Sequence, residues 1–316
     1  MNDVSSVNNE FSVTIPPAPE HFRSGFVGII GRPNVGKSTL MNHLIGQKIA
    51  ITSPVSQTTR NRLQGILTTP DAQIIFVDTP GIHKPHHELG RVIVKNAQSA
   101  INSVDLVIFV VDGSTMSGGG DRFIIELLKN TKTPVILGLN KQDLQPSNYE
   151  DIDDSYLDLI REQSWSNVKF SAVTGEGTDT LQKLIVENLE TGPYYYPPDL
   201  VTDQPERFIM AELIREQILL LTRQEIPHSV AITIEKIEES PQITKVFSAI
   251  NVERDSQKGI VIGKKGSMLK QIGTEARKQI QKLIAGDVYL ELFVKVEPKW
   301  RQSRMRLAQF GYRVED

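Results

Sequence analysis

Residues 31–38 read GRPNVGKS, and this octet constrains the fold more than any other stretch of the chain. It satisfies G-x-x-x-x-G-K-[ST] in full, follows the apolar run Phe26–Ile30, which reads as a buried strand, and opens KSTLMNHLI, which reads as a helix. A glycine-rich turn between a strand and a helix aims backbone N–H groups and the positive end of the helix at an anion. Gly31, Arg32, Pro33, Asn34, Val35 and Gly36 are therefore expected to wrap a phosphate chain, with Lys37 charged against its β and γ oxygens and Ser38 holding Mg²⁺ through its hydroxyl.

A loop of this kind sits at the carboxyl edge of an open α/β sheet, and the sequence around it has the matching rhythm. From Gly25 to Leu189 short apolar runs alternate with amphipathic ones, placing strands at Phe26–Ile30, Ile74–Asp78, Leu106–Asp112, Val135–Asn140 and Val168–Ser171. Unbroken Val, Ile, Phe and Leu in several of them predict burial on both faces, hence a mostly parallel sheet.

Three further clusters end these strands. In DTPGI, Asp78, Thr79, Pro80, Gly81 and Ile82, the carboxylate suits Mg²⁺ through water and the Gly81 N–H suits a γ-phosphate. In NKQD, Asn140, Lys141, Gln142 and Asp143, the terminal carboxylate suits guanine, whose N1–H and exocyclic amine are adjacent donors; adenine has no such pair. Ser171, Ala172 and Val173 of SAVTG put small residues and backbone N–H groups where the base can lie. The combination predicts GTP and GDP as ligands.

Between the first two clusters the polar loop SPVSQTTRNR carries Thr58 and Thr59. A threonine there completes a Mg²⁺ shell only when the γ-phosphate is present, and Thr59 is favoured over Thr58. Ser38, Thr59 and Asp78 form the expected metal set. Ras-type enzymes place a water-orienting Gln after D-x-x-G, but here that residue is Ile82, read as a hydrophobic anchor. His83, His86 and His87 read as solvated residues of a polar switch, and no protein base emerges. Lys37, Thr59 and Gly81 are the residues the motifs point to for catalysis.

At 316 residues and 39% hydrophobic content the chain can build two cores. No apolar run approaches the roughly 20 residues of a membrane-spanning helix, which predicts a soluble protein. The Ser-, Asn- and Pro-rich first 20 residues lack a secretory pattern and read as a disordered extension of a cytoplasmic protein. The absence of Cys excludes disulfides, thiolate metal sites and a cysteine nucleophile.

After Leu189, ETGPYYYPPDLVTDQP carries four prolines that forbid a continuous helix or central strand, so it reads as a linker. An amphipathic helix, ERFIMAELIREQILLLT, follows, with Phe208, Ala211, Leu213, Ile214 and Ile218 as its apolar set. Strands are expected near Ser229–Ile237 and Thr244–Glu253, a helix over GTEARKQIQKLIAG, and a closing strand over VYLELFVKVEP, giving an α-β-β-α-α-β order.

GIVIGKKGS, residues 259–267, resembles the first glycine cluster but fails its spacing, since Gly259 and Gly263 are four apart and Lys265 stands where Ser or Thr should. It does contain G-x-x-G, Gly263, Lys264, Lys265 and Gly266, between two helices of the α-β-β-α-α-β order. That is the arrangement of a KH clamp, whose glycines let a nucleic-acid backbone approach while the middle pair adds charge. Charge agrees: the whole chain is net −3, but Arg254–Lys282 holds eight basic residues against two acidic. Lys270 belongs to the same face. The expected ligand is a single-stranded RNA segment of about four nucleotides.

With these motifs and the missing Gln in view, the chain closely resembles the translation-factor-related GTPases that carry a hydrophobic residue in place of the catalytic Gln, and within them the Era-like branch of ribosome-assembly GTPases. The resemblance runs from Gly25 to about Arg313 and includes RFIMAELIREQIL, IGKKGSMLKQIGTEAR and LAQFGY. It implies an α/β P-loop GTPase domain followed by an α+β type II KH domain. It also implies that Asn34 helps hold a K⁺ ion that assists hydrolysis, that the RNA is the 3′ end of 16S rRNA within the 30S subunit, and that Trp300 and Arg301 add RNA contacts. A peripheral membrane role is associated with the family, and no amphipathic basic helix here demands it. Sister GTPases that modify tRNA end in a cysteine motif, and those with tandem G domains carry a second G-x-x-x-x-G-K-S; this chain has neither.

The expected organisation is an extension over 1–22, a GTPase domain over 23–190, a linker over 191–206, a KH domain over 207–298 and a tail over 299–316. The favoured reading is a monomeric GTP-hydrolysing switch acting on pre-ribosomal RNA. The alternative is a constitutive RNA-binding module whose G domain hydrolyses poorly.

Overall fold

The structure is a computed structural model, and it describes residues 15–53, 63–78, 81–82, 101–147, 149–222, 226–284 and 286–310. Six strands form the first sheet: β1 (Arg23–Ile30), β2 (Leu63–Thr68), β3 (Ala72–Asp78), β4 (Leu106–Asp112), β5 (Val135–Asn140) and β6 (Ser166–Lys169), in the order β2-β3-β1-β4-β5-β6. All neighbours are parallel except β2 and β3.

The continuous apolar runs do what a doubly covered strand requires. Ile29, Phe76, Ile108 and Ile136 join one core with Leu40 and Met41 of helix α1 (Lys37–Ile45). Their sequence neighbours Ile30, Val77, Phe109 and Leu137 join another, with Ile124 and Ile125 of α2 (Gly119–Leu128) and Ile152 and Tyr156 of α3 (Glu150–Leu157). Side chains alternate across a pleated sheet, so a run with no polar residue fills both faces. A fourth helix, α4 (Thr178–Asn188), returns Leu181 and Ile185 to the first core. Parallel strands bring their carboxyl ends to one edge, where the four motifs are found.

Strand β2 was not foreseen. Its interior Gly65 breaks the pattern of a strand, yet a Cβ there would stand 2.2 Å from Ile45 Cδ1 and 2.9 Å from Ile49 Cδ1, so the glycine is what lets α1 lie against the sheet. Strand β6 ends earlier than expected because Ser171 turns into a loop, its N–H bonded to the Glu176 carbonyl and its hydroxyl accepting from Val173 and Thr174.

The second unit contains α5 (Glu206–Leu221), a short α6 (Ile226–Ser229), β7 (Ala231–Glu239), β8 (Ile243–Val252), α7 (Asp255–Ile262), α8 (Ser267–Ile280) and β9 (Asp287–Val296), in the expected order plus α6. Its sheet runs β7-β8-β9, antiparallel then parallel. Helix α8 starts six residues before the expected segment, directly after Gly266, and Gly273 lies within it, facing Leu292 of β9. A last short helix, α9, spans Arg304–Gln309.

Helix α5 differs from its amphipathic reading. Phe208 and Ala211 are only partly buried, whereas Ile209, Met210 and every residue from Leu213 to Leu219 are buried, including Arg215, Glu216 and Gln217. It has no solvated stripe because one apolar cluster, containing both α5 and the first-sheet core, extends across the two units. The buried Arg215 bonds Glu212 through two nitrogens, at 2.7 and 2.6 Å.

The proline-rich segment is fastened along the first sheet. Gln73, wholly buried on β3, accepts the N–H groups of Tyr195 and Tyr196 at 2.8 and 3.0 Å and donates to the Tyr196 carbonyl at 2.9 Å. The Ile66 N–H donates to the Val201 carbonyl, and Thr202 Oγ1 donates to the Gln64 carbonyl. The linker therefore covers the outer edge of β2, which would otherwise present unpaired backbone groups.

Candidate functional site

A cleft of about 370 Å³ opens at the carboxyl edge of the first sheet, lined by residues of three of the motifs and by Gly81 of the fourth. Gly36 has φ +99° and abuts the Asn140 side chain so closely that a Cβ would stand 2.2 Å from Asn140 Nδ2. Only glycine satisfies both demands. Asn140, almost wholly buried, donates from Nδ2 to the Val35 carbonyl at 2.7 Å and accepts the Ala172 N–H on Oδ1 at 2.9 Å, so one amide ties the phosphate loop to the base loop.

Lys37 is buried and donates to the carbonyls of Gly31 and Arg32 at 3.2 and 2.9 Å. Burial pushes its pKa down to about 8, against the opposing pull of Asp78. An ammonium so stripped of water is poised to bind phosphate. Ser38 Oγ donates to Asp78 Oδ2 at 2.9 Å, bringing together two hard oxygen donors of the kind Mg²⁺ takes while keeping most of its waters. Ser38 and Asp78 are the residues that would hold it. Thr58, Thr59, Thr79, Pro80 and the three histidines lie outside the described residues.

Gly81 approaches the phosphate loop so closely that a Cβ would meet Pro33 N at 2.7 Å. Ile82 is fully buried among Ile30, Val77 and Ile101, and its N–H bonds the Gly31 carbonyl at 3.1 Å. Asn34 lines the cleft with φ +64°. The Arg32 side chain bonds Asp121 at 2.7 Å. Asp143 and Val173 are exposed at the base end of the cleft, Val173 at 73%, and Lys141 bonds Asp112 at 2.6 Å. The Gln142 N–H bonds the Phe170 carbonyl.

Ile51, Thr52, Ser53 and Leu144 also line the cleft. No spacing marked them: the first three lie between α1 and position 54 without a motif, and Leu144 is an exposed apolar residue just after NKQD.

The second glycine cluster is a single turn between α7 and α8. Gly263 and Gly266 have φ +71° and +79°, and Lys265 between them has φ +53°. Lys264, Lys265 and Lys270 are exposed. Trp300 corrects the expectation of an RNA contact. It is 2% exposed, its indole N–H donates to the Ser229 carbonyl at 3.1 Å, and its ring meets Phe310 edge-on. So large a ring is worth more in the core than on the surface. Arg301 stays half-exposed and bonds Glu253, holding that carboxyl below the usual carboxylate range, beside a recess lined by Arg254, Pro298, Lys299 and Gln302.

Comparison with known proteins agrees with this geometry. Residues 26–141 match the family described as 50S ribosome-binding GTPase, and residues 225–301 match the KH domain. The chain is 76% identical over 303 residues to GTPase Era of Crocosphaera subtropica, covering 96% of each chain. It is 70% identical over 315 residues to GTPase Era of Nostoc sp., covering 100% of this chain and 97% of the other. It is similar, with a TM-score of 0.86 and 39% identity over 93% of this chain and 100% of the other, to the crystal structure of Era in complex with MgGDPNP and nucleotides 1506–1542 of 16S ribosomal RNA. A point variant of Aquifex aeolicus Era bound to GDP·AlF4⁻ gives the same TM-score at 38% identity, again over 93% and 100%. Identity of this extent across nearly the full length, together with a GTPase-family match and a KH domain in one chain, means that the protein belongs to the Era family of GTPases.

Proposed function

We propose that this GTPase grips the 3′ end of 16S rRNA through the turn Gly263–Gly266 during assembly of the 30S subunit, and that its nucleotide state sets the strength of that grip. The observation that carries the reading is the turn itself: two positive-φ glycines flank two exposed lysines between paired helices, the form a KH clamp needs to admit a sugar-phosphate backbone. The relative solved with 16S rRNA nucleotides supports the choice of RNA. The GTPase unit over 23–190, the linker over 191–206 and the KH unit over 207–298 divide the labour, and the chain acts as a monomer.

The test is RNA crosslinking with sequencing, comparing wild type with Lys264→Ala/Lys265→Ala in GTP and in GDP. Crosslinks concentrated at the 16S 3′ end and reduced about tenfold in the double variant are expected. Crosslinks spread evenly over RNAs and indifferent to the variant would remove the proposal.

For hydrolysis, the proposal is that Asn34 helps hold a K⁺ ion where other GTPases use an arginine finger or a Gln. The support is the position of Asn34 on the cleft wall, with Ile82 turned into the core. Equal GTP turnover in Na⁺ and K⁺ buffers would sink it.

A further inference from the structure

The Arg32 side chain reaches out of the phosphate loop to a second, buried layer. Its Nε donates to Asp121 Oδ1 at 2.7 Å, and Asp121, on the first turn of α2, has no exposed surface. The stem of Arg32 lies over Gly120, where a Cβ would stand 2.6 Å from Arg32 Cδ. The backbone carbonyl of the same arginine accepts the Lys37 ammonium at 2.9 Å. A carboxylate withdrawn from water thus holds the side chain of the residue whose backbone holds the phosphate-binding lysine.

Tyr156 extends the layer. It is wholly buried, and its hydroxyl donates to the Asp112 carbonyl at 3.1 Å. Burial first, then the nearby Asp121, push its pKa up to about 12. The Asp112 carboxylate in turn bonds Lys141 of the NKQD loop at 2.6 Å. Polar contacts therefore run behind the cleft from the phosphate loop to the guanine loop.

We infer that Asp121 is a positioning residue for nucleotide binding, acting through Arg32 to hold the phosphate loop in the shape that receives the β-phosphate. Its two oxygens have separable tasks. Oδ2 accepts the Gly118 N–H at 2.9 Å and caps α2, which any short polar side chain can do. Oδ1 meets a guanidinium, which requires the charge. Desolvation offsets much of the attraction in a buried ion pair, so the pair is poorly suited to adding stability and well suited to fixing geometry.

The test compares Asp121→Asn, which retains a capping oxygen, with Arg32→Gln, which leaves the cap untouched, and with the double variant in the full chain. Release and affinity of a fluorescent GDP are measured beside thermal unfolding without nucleotide. Each single variant is expected to weaken GDP binding about tenfold, mainly through faster release, and the double variant to be no weaker than either. Arg32→Lys, which keeps a cation for Asp121 Oδ1, is expected to recover most of the GDP affinity that Arg32→Gln loses, a rescue that lost packing alone would not give. Should Asp121→Asn not fold, Arg32→Gln and Arg32→Lys carry the measurements, since the Arg32 side chain is 30% exposed. GDP affinity within about twofold of wild type in Arg32→Gln, losses that multiply in the double variant, or no recovery in Arg32→Lys would overturn the inference.

Discussion

The Glu216 carboxylate on α5 accepts the backbone N–H of Thr52 at 2.7 Å, joining the helix that precedes the KH match to the stretch of chain that follows α1. Glu216 is 1% exposed, and its other oxygen meets the Lys48 ammonium. Thr52 also lines the nucleotide cleft. Strand β2, further along the chain, is bonded at its edge by Val201 and Thr202 of the proline-rich segment. Contacts from α5 and from the proline-rich segment thus hold the residues that flank positions 54–62, Thr52 on one side and β2 on the other.

Removing the Glu216 carboxylate should loosen that connection. Glu216→Ala leaves the Thr52 N–H and the Lys48 ammonium without their acceptor and is expected to destabilise the protein by about 2–3 kcal/mol, whereas Lys48→Ala, with its side chain already 32% exposed, removes about 1 kcal/mol. Urea unfolding of both variants and their double checks this. Simple additivity with a coupling below about 0.5 kcal/mol would show that the two side chains do not act together.

Lys37 predicts a specific pH dependence. Its pKa in the nucleotide-free fold is about 8, below the ordinary 10.5, so the buried ammonium penalises that fold below pH 8 and the penalty vanishes as pH rises past 10.5. Bound phosphate restores the charge, so above pH 8 nucleotide binding must take up a proton. GDP affinity should fall by up to about tenfold per pH unit between pH 8.5 and 10. Calorimetry at pH 9 in two buffers of different ionisation enthalpy should give an uptake approaching one proton, and no uptake would refute the assignment.

The burial of Trp300 separates structure from recognition in the last turn of the KH unit. Trp300→Ala should cost about 3–5 kcal/mol, and Trp300→Phe, which keeps most of the packing but not the bond to Ser229, about 1–2 kcal/mol. RNA affinity of folded Trp300→Phe should match wild type. A selective loss of RNA binding by Trp300→Phe at unchanged melting temperature would return the residue to the RNA surface.

What the residues disclosed in advance was whatever is contiguous in the chain. The spacing from Gly31 to Ser38 and the run from Asn140 to Asp143 are each local, so the cleft that both line could be anticipated with no knowledge of the fold. Features made by distant contacts were hidden. Gly65 looks like a strand breaker until Ile45 and Ile49 are packed on it. Glu216 looks like a solvated helix charge, because Lys48 and Thr52 are far away in the chain. The RNA contact of Trp300 was implied by resemblance and not by its neighbours in the chain, and only Ser229 and Phe310 reveal a core residue. Asp121 was passed over for the same reason: nothing local to α2 points to Arg32.

The two glycines of the clamp should respond differently to a methyl group. A Cβ on Gly263 would stand 2.6 Å from Met268 Cβ and 2.9 Å from its backbone nitrogen, pressing on the first turn of α8, whereas a Cβ on Gly266 meets nothing within 4 Å among the described residues. Both positions have positive φ, which costs an alanine about 1–2 kcal/mol. Gly263→Ala should therefore lose more stability than Gly266→Ala, the excess coming from the clash. At Gly266 no described residue occupies the space a Cβ would fill, so its added methyl is placed to obstruct what docks from outside. Gly266→Ala should then weaken binding of a short single-stranded 16S 3′-end RNA by more than its modest stability loss accounts for, as measured by fluorescence anisotropy on protein shown to be folded. Equal melting losses in the two variants would contradict the steric assignment, and unchanged RNA affinity in Gly266→Ala would mean that the RNA backbone does not cross the turn at that glycine.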